Sequence, residues 1–359
     1  MALTLPFLSA IADIKGYRKA FMKSFTYLGA TACMGLFFFK LETLEWGIIC
    51  ATLAAMGYVG GILFNNAYLP EIATADQQNR ISAQGFAYGY IGSVLLQLIC
   101  FAFVLRPDWF GIEDDSLPAR LSFFLVGVWW IVFAQIPFKK LPDDIPTGKT
   151  VDRHVFKNAV MELKDVFQRL KNIPSIKRFL PAFFFYAMGV HTIMIVAAAF
   201  GEKVLHLGAP KLIATVLIIQ LVAIGGAYLM SLLGRVIGNL KVLALVVALW
   251  ILICVSAYFL QTENQFYILA AVVGMVMGGI QSLSRSTYSK MIPENESDTT
   301  SFFSFYDVTE KLAIVIGLFA FALIEQLTNN IRYSALSLSV YFIIALVLLL
   351  GNIRKTGKL

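Results

Sequence analysis

Ten apolar runs follow one another along this chain, each close to the length a helix needs to cross a bilayer. They lie at about 24–39, 47–66, 84–105, 119–138, 178–200, 211–233, 240–260, 266–286, 307–327 and 333–352. A helix rises about 1.5 Å per residue, so about 20 apolar residues span the hydrocarbon. The first run is short, and its ends extend into its flanks. Only 14% of the 359 residues are charged and the mean hydropathy is +0.75. A soluble domain would carry about a quarter charged residues. Backbone polar groups in hydrocarbon must bond within their own segment, so the runs predict an all-α, multi-pass membrane protein. A further stretch at 2–12 is too short to span, and a basic run follows it at once: Lys15, Arg18, Lys19 and Lys23.

Charge tests the orientation. With the loop at 13–23 in the cytoplasm and the runs alternating from there, six of the 29 Lys and Arg residues fall outside: Lys40, Arg106, Arg120, Lys203, Lys211 and Arg332. The other 23 fall inside, as the positive-inside rule requires, and the C-terminus is cytoplasmic. The net charge of +7 therefore reports topology, and no nucleic-acid partner is expected. The plasma (inner) membrane is the expected location. Residues 139–177 form the longest polar stretch. They divide the chain into an N-terminal bundle at 1–138, a cytoplasmic linker at 139–177 and a C-terminal bundle at 178–359. From Arg153 to Lys171 the apolar residues Val155, Phe156, Ala159, Val160, Leu163, Val166, Phe167 and Leu170 share one face, which predicts an amphipathic helix.

No catalytic constellation is visible. Cys33, Cys50, Cys100 and Cys254 sit in apolar runs without CxxC spacing, and three histidines without HxxxH or HExxH spacing predict no metal site. Gly148-Lys149-Thr150 ends like a phosphate loop, but Asp143 stands where its first Gly is needed. No GxSxG elbow is present. The chain is read as no enzyme and as needing no cofactor.

An internal repeat is legible. Ser9, Gly16 and Lys19 recur as Ser231, Gly238 and Lys241, and Leu69-Pro70-Glu71 recurs as Ile292-Pro293-Glu294, at offsets of 222 and 223. Both matches sit in equivalent topological places, which predicts a duplicated half. The second half has six spans from near Lys177. Subtracting the offset predicts that the first half is truncated, short of one helix and most of the next. The expected architecture is therefore ten complete transmembrane helices plus a stub. Glycines 57, 60 and 61 and glycines 274, 278 and 279 fall in corresponding helices and suit close packing.

Two similar halves joined by a basic cytoplasmic segment resemble the major facilitator superfamily. The stretch 9–19 resembles its G-xxx-D-xx-G-x-[RK]-[RK] signature, with Asp13, Gly16, Arg18 and Lys19 in place and Ser9 for the first Gly. A narrower branch fits better. NNAYLPEIATADQQNRISAQGFAYGYIGS (65–93), FFFYAMGVHTI (183–193), AAAFG (197–201), IQLVAIGGA (219–227) and GGIQSLSRS (278–286) resemble the unknown major facilitator family, which includes fungal autophagy-related vacuolar amino-acid effluxers. The resemblance implies the major facilitator fold with two pseudo-symmetric six-helix halves, and amino-acid export by alternating access. The chain departs from the family twice. It lacks a Tyr-Asp-x-Ala-Asn-like stretch, and Tyr186 to Thr192 read Y-A-M-G-V-H-T where Y-N-D-G-V-Q-T is usual.

Polar groups within spans are costly, so each is a candidate for the solute or ion pathway. These are Asn65, Asn66, Tyr186, His191, Thr192, Gln220, Gln281, Ser282, Ser284 and Arg285. His191 lies midway along its run and either titrates near neutral pH, bonds solute or packs against a neighbouring helix. Arg285 binds a carboxylate-bearing solute, snorkels to the interface or pairs in a gate. Asp13, Arg18, Glu71, Arg80, Arg235, Glu294, Asp307, Glu310 and Lys311 are expected to form a cytoplasmic gate from the ends of the two halves. The leading reading is a monomeric secondary transporter of a small organic solute, an amino acid, with a coupling proton as a possible second partner and the lipid bilayer as solvent. The alternative is a truncated, non-transporting facilitator-like membrane protein.

Overall fold

The computed structural model describes residues 4–114, 116–146, 155–293, 296 and 298–356. Among them the chain is helical, with short 3₁₀ turns and no strand. The first helices are α1 (Leu5–Lys15), α2 (Arg18–Gly35), α3 (Leu44–Ala67), the single turn α4 (Leu69–Ile72), α5 (Gln78–Leu105) and α6 (Leu117–Lys140). Then come α7 (Val155–Asn172), α8 (Pro174–Leu205), α9 (Ala209–Ile237), α10 (Asn239–Tyr258), α11 (Glu263–Met291), α12 (Thr299–Thr328) and α13 (Ile331–Thr356).

Each of the ten apolar runs lies within or largely overlaps one long helix. Eight of those helices are long and apolar enough to cross a membrane. The other two runs lie in α2 and α12, which carry charge inside the helix. Arg18, Lys19 and Lys23 crowd the 18 residues of α2, and Asp307, Glu310 and Lys311 interrupt α12. Hydropathy marks hydrocarbon thickness, whereas a helix runs on until something caps it. The run at 178–200 is thus part of a 32-residue α8 that starts at Pro174 and stops where His206 turns left-handed. Of the amphipathic helix expected from Arg153 to Lys171, Arg153 and His154 lie outside the described residues and the rest falls in α7, where Val166 and Leu170 of the expected apolar face are buried and Val160 and Phe167 are exposed.

The chain clusters into two units. One gathers 1–72, 92–166 and 296–304, and the other gathers 73–91, 167–295 and 305–359. The first part of α5 thus belongs with second-half helices, and the start of α12 belongs with first-half helices.

In the first unit α2 packs between α3 and α6. Gly57 leaves the room, since a Cβ there would lie 2.3 Å from the Gly29 Cα. Gly127 of α6 likewise backs onto the Ala30 carbonyl, where a Cβ would sit at 2.5 Å. Ala12, Met22, Phe64, Tyr68 and Phe138 form a buried cluster that ties α1 to this group.

In the second unit α9 and α11 touch backbone to backbone. A Cβ on Gly226 would lie 2.1 Å from the Met275 carbonyl oxygen, one on Gly274 2.4 Å from that of Ile219, and one on Gly278 2.1 Å from that of Ala223. Small residues allow such approach where lipid offers no hydrophobic drive for association. On the other side α13 packs against α8 and α10. Phe342 lies parallel to buried Trp250 at 5.6 Å and fills the space that Gly189 leaves open.

Gly278→Ala is expected to destabilise the protein by about 1–3 kcal/mol through overpacking. Gly225→Ala, where a Cβ meets open space, is expected to be neutral or to stabilise by up to about 1 kcal/mol. Thermal unfolding of the purified protein in detergent checks both, and equal shifts would contradict the packing account.

Candidate functional site

Two groups of polar residues stand out, one in each unit. In the first unit α1 ends at Gly16, whose φ of +70° is readily adopted only by glycine. The reversal brings Arg18 back to Asp13, with Nε donating to Oδ1 at 2.8 Å, and the same guanidinium bonds Glu71. The Asp13 side chain is 1% exposed, and its other oxygen accepts from the Ser301 amide at 2.8 Å. That amide belongs to the first turn of α12, where unpaired N–H groups favour an anion. Thr299 donates its hydroxyl to Glu71 at 3.3 Å.

The start of the linker closes on the same turn. Tyr17 offers α2 no side-chain cap. Asp144 supplies one instead, accepting from the amides of Lys19 at 2.7 Å and Ala20 at 2.9 Å. The buried Lys19 ammonium donates to the Leu141 carbonyl at 2.8 Å and to Asp143 at 2.7 Å. This bond holds the Asp143 carboxyl below the usual carboxylate range. The tie therefore contributes above the unfolded value and is lost only as pH falls through the lowered folded one.

In the second unit the first three turns of α5 present Asn79, Ser82, Phe86 and Tyr90 at helical spacing. Asn79 and Asn239 exchange side-chain amide bonds at 2.6 and 2.9 Å, and Asn239 also donates to Thr287 at 3.0 Å. Ser82 donates to the Ser282 carbonyl at 2.7 Å. Arg285 of α11 donates to the Ser82 hydroxyl at 3.0 Å and to its carbonyl at 2.9 Å, with its guanidinium 4.6 Å from the Phe86 ring centre. Gly85 makes room for it, since a Cβ there would lie 3.0 Å from an Arg285 nitrogen. Tyr90 bonds Gln281, Ser282 bonds back to its own helix through the Gly278 carbonyl at 2.9 Å, and Tyr186 of α8 shares a 2.7 Å bond with Ser284.

His191 lies about mid-helix in α8, and its Nε2 sits 3.1 Å from Glu310. The other Glu310 oxygen accepts from Lys311 at 2.7 Å. Glu310 lies eleven residues beyond the start of α12, about 16 Å along the helix axis.

The expected residues therefore separate into groups. Tyr186, Gln281, Ser284 and Arg285 form one bonded neighbourhood. Asp307, Glu310 and Lys311, expected among gate charges, lie within α12, and Glu310 joins His191. Asp13, Arg18 and Glu71 come together in the first unit. Arg80 and Arg235 are exposed at helix ends, with Asp76 in electrostatic reach of Arg235. Glu294 lies outside the described residues. Asn66 is buried and Asn65 exposed at the C-terminal end of α3. Buried Thr192 and the Gln220 carbonyl oxygen have no hydrogen-bond partner among the described residues. No group of three His, Cys, Asp or Glu residues there is placed to hold a metal.

The sequence reading missed Asn79, Ser82, Phe86, Tyr90 and Asn239. Their signal is a polar-aromatic stripe at i, i+3, i+7 and i+11 from Asn79, which window averages over α5 conceal.

A family model described as "Vacuole effluxer Atg22 like" matches residues 1–358. The chain belongs to the Atg22-like family. This Atg22-like protein is 30% identical over 350 residues to the uncharacterized MFS-type transporter YxiO of Bacillus subtilis, a match covering 97% of this chain and 81% of YxiO. It is also 30% identical over 290 residues to autophagy-related protein 22 of Cryptococcus neoformans, covering 76% of this chain and 52% of that protein. The chain thus spans about half the length of that fungal relative. Among solved structures the fold is similar to the E. coli fucose:proton symporter FucP, with TM-score 0.71, 13% identity and coverage of 97% of this chain and 87% of that one. It is also similar to the human organic anion transporter MFSD10, with TM-score 0.69, 13% identity and coverage of 97% and 80%. The Atg22-like chain is therefore an integral, multi-pass membrane protein of the major facilitator superfamily, helical with no strand among its described residues.

Asp144→Ala removes an acceptor from two first-turn amides of α2, at about 1 kcal/mol. Hydrogen exchange at Lys19 and Ala20 is expected to quicken about fivefold. Unchanged exchange there would remove Asp144 as the cap.

Proposed function

We propose that this chain is a secondary transporter of a small organic solute, an amino acid, which it exports by alternating access. The observation that carries this reading is the set of polar side chains converging from α5, α8, α11 and α12 in the second unit. Arg285 there offers a cation suited to a carboxylate, and Tyr186, Gln281 and Ser284 offer neutral bonds. Hydrogen-bonding groups are expensive to bury in a span without use, so such a constellation is a solute site by default. The description of the matched family, a vacuole effluxer, supports solute movement across a membrane as the activity.

In this reading the chain divides into membrane bundles at 1–138 and 178–359, joined by a linker at 139–177. It works as a monomer in the plasma (inner) membrane with its C-terminus in the cytoplasm. His191, Thr192 and Gln220 extend the pathway in one half, and Asn65 and Asn66 contribute from the other. Asp13, Arg18 and Glu71, with Arg80, Arg235 and Glu294, act at the cytoplasmic gate, where the bonds from Asp13 to Ser301 and from Glu71 to Thr299 must break and reform.

Counterflow of radiolabelled amino acids into proteoliposomes holding the full chain tests the proposal. At least one amino acid is expected to exchange. Arg285→Ala is expected to lower that exchange about 10-fold or more, the worth of a charge-assisted hydrogen bond. No exchange of any amino acid would favour the non-transporting reading, and exchange unaffected by Arg285→Ala would remove Arg285 from the site.

A further inference from the structure

We propose that Asp307, Glu310, His191 and Lys311 form a proton-binding site within the second unit, which takes up and releases one proton in each transport cycle. Its cyclic use rests on the transporter reading, whereas the site itself does not.

Asp307 and Glu310 are three residues apart on α12, so their side chains lie on one helix face. Glu310 is fully engaged, with one oxygen 3.1 Å from His191 Nε2 and the other 2.7 Å from Lys311 Nζ. Asp307 is only 2% exposed, and its Oδ2 has no hydrogen-bond partner among the described residues. A buried polar oxygen without a partner is costly, and a buried unpaired carboxylate more so. A hydrogen ion on that oxygen is the smallest ligand that removes the charge.

Charge balance gives the stoichiometry. Asp307 and Glu310 as carboxylates and Lys311 as ammonium leave one net negative charge. A single proton brings the cluster to neutrality, and further protonation would make it cationic. The other groups facing the cluster do not supply the missing charge. From α8 they are Tyr186, bonded to Ser284, and His191 itself. From α11 Tyr288 faces Asp307, and Arg285 reaches Tyr306 while bonded to Ser82. From α12 itself they are Tyr306 and Lys311. Loading therefore adds one proton from water to the Asp307 oxygen, and unloading returns it. Glu310 stays shared between His191 and Lys311 meanwhile.

Infrared titration of the full chain in lipid vesicles, from about pH 5 to about pH 9, reads the site directly through the C=O stretch of a protonated carboxyl. The wild type is expected to show a carboxyl band that fades as pH rises through this range. Asp307→Asn is expected to lose that band. Glu310→Gln, which removes the neighbouring negative charge, is expected to keep the band and move its midpoint to lower pH. Absence of a titrating band in the wild type, or its survival in Asp307→Asn, overturns the proposal. Amino-acid counterflow measured on the same vesicles separates the two claims. A titrating band without counterflow leaves the proton site standing and defeats the transporter reading. Counterflow without a band defeats the site alone.

Discussion

The close approach of α9 and α11 governs how the second unit presents its polar groups. Three glycines let one backbone lie against the carbonyls of the other, and any larger residue would force the helices apart. Gln281, Ser284 and Arg285 follow Gly278 within two turns on α11. The contact that locks the helix thus also sets the height and rotation of these side chains. Arg285 can then reach Ser82 and Phe86, and Ser284 can reach Tyr186. Gly85 completes the fit by leaving space for the guanidinium. In the first unit Gly29 and Gly57 do the same for α2 and α3.

Once water is excluded, each polar side chain must find its partner within the protein. The two units meet this demand differently. The first pairs full charges at a helix end, where Asp13 faces both a guanidinium and the open amides of α12. The second relies mostly on neutral groups, with paired amides at Asn79 and Asn239 and hydroxyls on Ser82, Ser284 and Tyr186. Its dense charge lies on α12, around Glu310. Neutral bonds are cheap to exchange for bonds to a solute, whereas buried charges are costly to separate. This contrast suits a solute contact among the mostly neutral groups around Arg285 and ion chemistry beside them on α12.

The sequence made the helices legible because hydropathy reports burial in hydrocarbon directly. It was blind to helix length outside the apolar window. The run beginning at 307 suggested that Asp307, Glu310 and Lys311 sit at a membrane edge. The polar turns from Thr299 to Tyr306 are helical as well, and they carry those residues into the body of α12. The pairing of His191 with Glu310 was hidden for that reason. The stripe on α5 was hidden differently, because four residues spread over three turns barely change an average. Gly16 and the Asp13–Arg18 pair were readable because the turn demands a glycine and brings nearby opposite charges together.

The central claim is that a solute rests on the polar side chains of α8 and α11. Equilibrium binding of radiolabelled amino acids to the purified full chain tests it most directly. The account predicts saturable binding of at least one amino acid that is lost in Tyr186→Ala and in Arg285→Ala but kept in Lys211→Ala, at a half-exposed surface lysine. Binding of equal strength in all of these variants would contradict it, as would the absence of saturable binding in the unaltered protein.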